Sequence, residues 1–144
     1  MDELKVFDTE HWLISHRRDA RYPGYLMVSS KEQAAEVSEI SEAALSTLGL
    51  VLRDTERLLT KAYAPCKVVF YKLGFSRGFA VHFHVAPVTE QLVREIHEHP
   101  AYSNEPDGND AILFLSREYC ERPLTEQELE VQAEIVTWLR SLCH

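Results

Sequence analysis

The sequence predicts an α+β protein: an antiparallel sheet, one long central helix, and a C-terminal strand followed by a helix. Three observations predict it. From Ser41 to about Tyr63, Leu45, Leu48, Leu52 and Leu59 recur on one helical face, and Ala62 extends it. Two runs rich in strand-forming residues, "KVVFYKL" (67–73) and "FAVHFHVA" (79–86), flank the glycine-bounded "GFSRG" and read as a hairpin. A second helical pattern follows the capping-box spacing of Thr125 and Glu128, with Val131, Ile135, Trp138 and Leu142 on one face.

The remaining elements follow in chain order. "HWLIS" (11–15) and "YLMVS" (25–29) read as strands, separated by the charged loop "HRRDARYPG", whose Pro23-Gly24 pair is a turn signal. Ser30 and Gln33 have capping-box spacing for a short helical segment. Pro65 stops the long helix, and 67–73 is expected as a central strand. Residues 89–99 predict a helix, and 100–110 a loop from their Pro, Asn, Asp and Gly content. "AILFLSREYC" (111–120) predicts a further strand.

The length of 144 residues fits one domain. Such a domain buries roughly 70% of its unfolded surface, so its core needs no disulfide or metal to fold. The formal charge of -8 argues against general nucleic-acid binding, which requires a surplus of Lys and Arg. It leaves room for a small anionic ligand in a local basic pocket. Cys66, Cys120 and Cys143 are odd in number and form no C-x-x-C pair, which predicts reduced thiols in a cytosolic protein. No signal peptide is expected from "MDELKVFDTEHWLIS", and the apolar runs are too short for a membrane span.

Residues 79–88, "FAVHFHVAPV", hold the candidate chemistry. Alternate side chains of a strand share a face, so Ala80, His82, His84 and Ala86 point one way and Val81, Phe83 and Val85 the other. The apolar set predicts the core side. The small alanines leave room around two imidazoles whose Cα atoms lie about 6–7 Å apart. Three roles fit such a pair. The rings can be half-buried and bonded to backbone, with no chemistry. They can supply two metal ligands, although zinc wants a third and usually a fourth. They can act as nucleophile and acid–base groups on a phosphate ester, since the imidazole pKa lies near neutrality.

The stretch "AVHFHVAP" resembles the motif of the histidine triad superfamily of nucleotide hydrolases and transferases, His-φ-His-φ-His-φ-φ with φ apolar, often followed by proline. It fits at every position except the first histidine, which is Ala80 here. Upstream, "YPGYLMVSSK" is similar to the family's P-G-H-x-L-V-x-P-K strand, with Tyr25 in place of histidine. The resemblance covers about residues 10–88. The extension 89–144 resembles the tail of a small bacterial subgroup.

The resemblance implies a homodimer, a small-molecule nucleotide substrate, no metal or cofactor, and a nucleotidyl-histidine formed at the α-phosphate. By position, His82 is the nucleophile and His84 the histidine that contacts the phosphate. Lys72 stands near a phosphate-binding asparagine of the family, and Ser76 and Arg77 occupy a shortened phosphate loop; Arg77 also fits a solvated turn. In "HRRDAR", Asp19 is placed to accept from ribose hydroxyls, and His16 or Arg17 to approach base or phosphates; a solvated loop with local ion pairs is the favoured reading of these residues. Loss of the first histidine implies slower turnover, because it removes a partner that orients the nucleophile. A nucleotide-binding protein without chemistry, and a metal-binding protein using His82 and His84, remain the alternatives.

Overall fold

The computed structural model describes residues 3–102 and 105–143. Five antiparallel strands form one sheet: β1 (Lys5–Asp8), β2 (Trp12–His16), β3 (Leu26–Ser30), β4 (Lys67–Tyr71) and β5 (His82–Val88), in the order β1-β2-β3-β5-β4. Four α-helices accompany it: α1 (Glu42–Tyr63), α2 (Glu90–Glu98), α3 (Gly108–Glu118) and α4 (Glu126–Ser141).

Helix α1 starts where Ser41 accepts from the Ala44 N–H and stops at Tyr63, two residues before Pro65. Its fully buried residues are Ala44, Val51, Thr55, Leu58 and Leu59, while Leu45, Leu48 and Leu52 flank them half-buried. The helix packs on the sheet face made by Trp12, Ile14, Leu26, Val28, Val85 and Val68, and the Trp12 indole N–H donates to the Ala44 carbonyl at 3.0 Å. On the opposite face a second apolar cluster joins Ala86 and Val88 of β5 to Leu92 and Ile96 of α2 and to Ala111, Phe114 and Leu115 of α3.

Several expectations are corrected. Residues 111–118 are helical, not a strand: Ala111, Phe114 and Leu115 bury at helical spacing, and Asp107 with Asp110 forms a capping box just upstream. The expected loop therefore ends at Asp107, and residues 103 and 104 of it lie outside the described residues. Strand β4 is an edge strand, since β5 pairs with both β3 and β4. Strand β5 begins at His82, and the connection from β4 spans 72–81 rather than a five-residue turn. Ser30 ends β3 and its hydroxyl accepts from Glu32, while the short helical turn sits later, at Val37–Glu39, with Glu36 and Glu39 as its capping box. An unforeseen strand, β1, forms at the N-terminus.

In α4 the capping box of Thr125 and Glu128 is present, but the buried stripe is Gln132, Val136 and Leu139. Val131 and Trp138 are exposed, and Trp138 lays its ring edge-to-face against Tyr63.

Candidate functional site

The side chains of His82 and His84 stand on the sheet face opposite α1, paired across β3 with Ser29 and Met27. From Ala86 onward that face is covered by α2 and α3, so Ala86 is buried rather than a source of open space. Over the two histidines it opens into a cleft of about 620 Å³. Arg17, Asp19, Ser76, His82 and His84 line this cleft together. Lys72 and Arg77 are exposed and lie outside its lining.

Each imidazole is held differently. Nδ1 of His82 is 2.9 Å from the Ala80 carbonyl oxygen. A carbonyl can only accept, so Nδ1 carries a proton, and in the neutral ring Nε2 is left with its lone pair. The backbone of residue 80 thus supplies the restraint that a histidine side chain there would supply, although Ala80 itself has no polar side chain.

His84 is 5% exposed and its Nδ1 lies 2.7 Å from the Tyr25 hydroxyl. That oxygen also accepts from Arg17 Nη1 at 2.8 Å and is hydrogen-bonded to the Tyr71 hydroxyl. With Tyr71 donating to Tyr25, and Tyr25 donating to His84, every hydroxyl proton of the network is used. This direction makes His84 Nδ1 an acceptor and places its proton on Nε2. Burial raises the pKa of both phenols, so both stay protonated at neutral pH. Burial, the Arg17 charge and His82 together push the His84 imidazole down to about 4, so it is neutral as well. The Tyr71 ring stacks on His84, with centroids 4.8 Å apart and planes 8° from parallel.

The two neighbouring rings, 5.2 Å apart by centroid, are therefore in opposite tautomers. His82 presents a lone pair at Nε2. His84 presents a proton there. A ring nitrogen able to act as a nucleophile and a hydrogen-bond donor can thus stand side by side.

The charged wall of the cleft is a loop tied to the C-terminal helices. Arg17 Nε donates to Asp19 Oδ1 at 2.7 Å. Gln132 on α4, itself buried, donates from its amide nitrogen to the carbonyls of Arg17 and Arg18 at 3.1 and 3.0 Å. His16 also borders the cleft, and its two ring nitrogens are engaged by backbone. It is buried, Nδ1 donates to the Arg17 carbonyl at 3.0 Å, and Nε2 accepts from the Gly24 N–H at 3.1 Å. Both nitrogens are used in bracing the loop, and burial lowers the pKa of the ring.

Tyr71 and Gln132 escape sequence reasoning, and Tyr25 enters it only as a departure from a motif. Strand parity places Tyr25 with Met27 and Tyr71 with Val69, but the contact between Tyr71 and His84 depends on a register of Tyr71 opposite His84 that the irregular 72–81 connection conceals. Among the described residues, no three or more His, Cys, Asp or Glu side chains cluster as a metal site would require. No helix among the described residues is long and apolar enough to cross a membrane.

No family model matches the sequence, and no curated protein sequence matches it. Solved structures do. The NitFhit protein of C. elegans superposes with a TM-score of 0.64 at 15% identity, over 97% of this chain and 27% of that one, so the chain spans about a quarter of the length of that relative. A histidine triad protein from Bradyrhizobium japonicum gives 0.64 at 18% identity over 97% and 90% of the two chains. The diadenosine triphosphate hydrolase of Plasmodium falciparum, solved with cyclomarin A, gives 0.60 at 10% identity over 98% and 80%. At these identities the likeness is one of architecture, and it extends well beyond residues 10–88 into the C-terminal helices. The chain has the fold of the histidine triad superfamily.

Proposed function

We propose that the protein binds a nucleotide in the cleft over His82 and His84 and hydrolyses or transfers its nucleotidyl group through a covalent intermediate on His82. The observation that carries this reading is the pair of Nδ1 contacts, His82 to the Ala80 carbonyl and His84 to Tyr25, from which the opposed tautomers follow. Nε2 of His82 attacks the α-phosphorus, the N–P bond forms as the bond to the leaving group breaks, and the leaving group takes the electron pair and a proton from solvent. Nδ1 keeps its proton, so the phosphoryl-imidazole is cationic and the Ala80 carbonyl shares that charge. His84 Nε2–H donates to a phosphoryl oxygen and stabilises the charge that builds there without giving up its proton. Water or another acceptor then adds to phosphorus, the P–N bond breaks with its pair returning to Nε2, and the acceptor's proton leaves to solvent. Ser76 is placed to add a hydroxyl donor, Asp19 to accept from ribose, and Arg17 to steady both Asp19 and Tyr25. Lys72 and Arg77 serve, in this reading, as general attraction for the anion from outside the cleft.

The fold relatives support this reading: one is a diadenosine triphosphate hydrolase by its own description. The test is intact mass after brief incubation with nucleoside phosphoramidates and dinucleoside polyphosphates, quenched in acid. A nucleotidyl adduct is expected in wild type and absent in His82→Ala, with nucleotide binding retained; His84→Ala weakens both. Equal turnover in wild type and His82→Ala overturns the covalent route, and retained binding would then assign a nucleotide-binding role without chemistry.

We also propose a homodimer through α1 and the outer edge of β4, which no strand covers among the described residues. An open strand edge is an association hazard, and pairing it in a continuous sheet removes the hazard. Sedimentation showing a monomer at micromolar concentration counts against it. The three cysteines, free in the structure, fit a reducing, cytosolic setting.

A further inference from the structure

We infer that the Leu73–Phe79 rim of the cleft is a subsite for a leaving group that carries an aromatic ring and no further phosphate. The inference rests on the proposed function, since it assigns the second half of the substrate of that site.

The cleft has two chemically distinct ends, and the contacts order them. Phe79 lies edge-to-face on His82 at 6.0 Å, His82 neighbours His84, His84 bonds to Tyr25, and Tyr25 to Arg17. One end is therefore polar and charged, with Arg17, Arg18 and Asp19. The other is Leu73, Gly74, Phe75, Ser76 and Phe79, with no charged side chain among the lining residues. The candidate nucleophile lies at the apolar side of the pair.

Phe75 is fully exposed, and Leu73 and Phe79 about half exposed. Single exposed apolar residues are ordinary. Three large ones converging on one cleft, with a ring touching the candidate nucleophile, form a surface that gains from being covered. The connection that carries them turns on Gly74 and Gly78, at φ +65° and +92°, where a side chain would meet nothing within 4 Å. Backbone conformation, not crowding, calls for glycine there.

A nucleotide seated with its phosphate at His82 and its ribose toward Asp19 sends the leaving group to the phenyl end. A polyphosphate chain inside the cleft there would meet Leu73, Phe75 and Phe79, because the two cations of the segment, Lys72 and Arg77, lie outside the lining. An aromatic amine or alcohol, joined to the α-phosphate by a single P–N or P–O bond, would find edge and face contacts worth about 0.5–1.5 kcal/mol per ring pair. Attack by His82 Nε2 breaks that one bond and releases the aromatic group with its electron pair, to be protonated by solvent.

The experiment uses the full chain carrying His82→Ala, which prevents turnover, and calorimetric titration. The four ribonucleoside 5′-monophosphates are tried first, then the methyl ester, the phenyl ester and the diphosphate of the best-bound one. The phenyl ester is expected to bind about 2- to 12-fold more tightly than the methyl ester. Adding Phe75→Ser and Phe79→Ser should reduce that ratio below about twofold, each ester being referred to the monophosphate affinity of the same variant. Equal binding of phenyl and methyl esters overturns the inference and spares the proposed function, and so does a diphosphate that binds more tightly than the phenyl ester. Absence of binding by every monophosphate overturns both. Sedimentation of the double phenylalanine variant adds a further arm: conversion of a dimer to a monomer assigns the rings to a subunit contact and overturns the subsite.

Discussion

Tyr25 and His84 are joined by a 2.7 Å hydrogen bond, and Arg17 and Tyr71 converge on the same tyrosine oxygen. The phenol therefore determines which nitrogen of His84 carries the proton. Tyr25→Phe keeps the ring and its packing but removes the donor. Nitrogen-resolved NMR of the histidine side chains should show His84 as the Nε2–H tautomer in wild type and lose that preference in the variant. Turnover should fall about 10- to 100-fold with less change in KM. An unchanged tautomer would refute the assigned direction of the network whatever the catalytic outcome.

The His84 imidazole also links stability to pH. Burial, with Arg17 and His82, holds it down to about 4, against 6.5 for the free group. Between those values the unfolded chain binds a proton that the folded chain refuses. Stability therefore falls as pH drops from about 6.5 to about 4, and this contribution levels off below. The loss is on the order of 3 kcal/mol. His16, lowered by its burial, acts in the same direction. Urea titrations at pH 7.5, 6.5, 5.5 and 4.5 should show a shallower decline for His84→Gln than for wild type; parallel curves would contradict the assignment.

Gln132 is a buried polar residue whose amide spans two loop carbonyls. Gln132→Leu fills similar space but takes the amide donor from the Arg18 carbonyl and leaves the Arg17 carbonyl with His16, at a cost of about 1–3 kcal/mol. The loop that loses its anchor carries Arg17 and Asp19, so nucleotide affinity should weaken more than the rate at saturation. A variant with unaltered affinity and lowered stability would reduce Gln132 to a packing residue.

Gly24 adopts φ +81°, and a Cβ there would lie 2.5 Å from a ring carbon of Tyr63. Gly24→Ala combines left-handed strain with a steric clash, so a loss of about 2–4 kcal/mol is expected in chemical denaturation. Pairing it with Tyr63→Leu should recover the clash part and leave the strain. No recovery would mean that Tyr63 moves aside at little cost.

The parts legible in the sequence are those set by short-range periodicity. Alternation put His82 and His84 on one face because a strand admits no other arrangement, and spacing found α1. Three features were hidden for physical reasons. "AILFL" suits a buried strand and a helix alike, so the Asp107–Asp110 box had to decide. The buried stripe of α4 is Gln132, Val136 and Leu139, and a polar residue at its first position hides it from an apolar pattern that starts at Val131. The contact of Tyr71 with His84 needs the register across ten irregular residues, which no local pattern contains.

The bonds from Gln132 reach back 115 and 114 residues along the chain. On the ribosome, β1 to β5 are complete at Val88, long before α4 exists. The histidines can thus be seated in a nearly finished sheet while the wall bearing Arg17 and Asp19 still lacks its anchor. Contacts of such separation form late, since the entropy of closing the chain must be met before they contribute. The nascent protein therefore passes through a stage that holds its candidate nucleophile but not its full binding cleft, and translation of the last helix marks the moment at which the site closes.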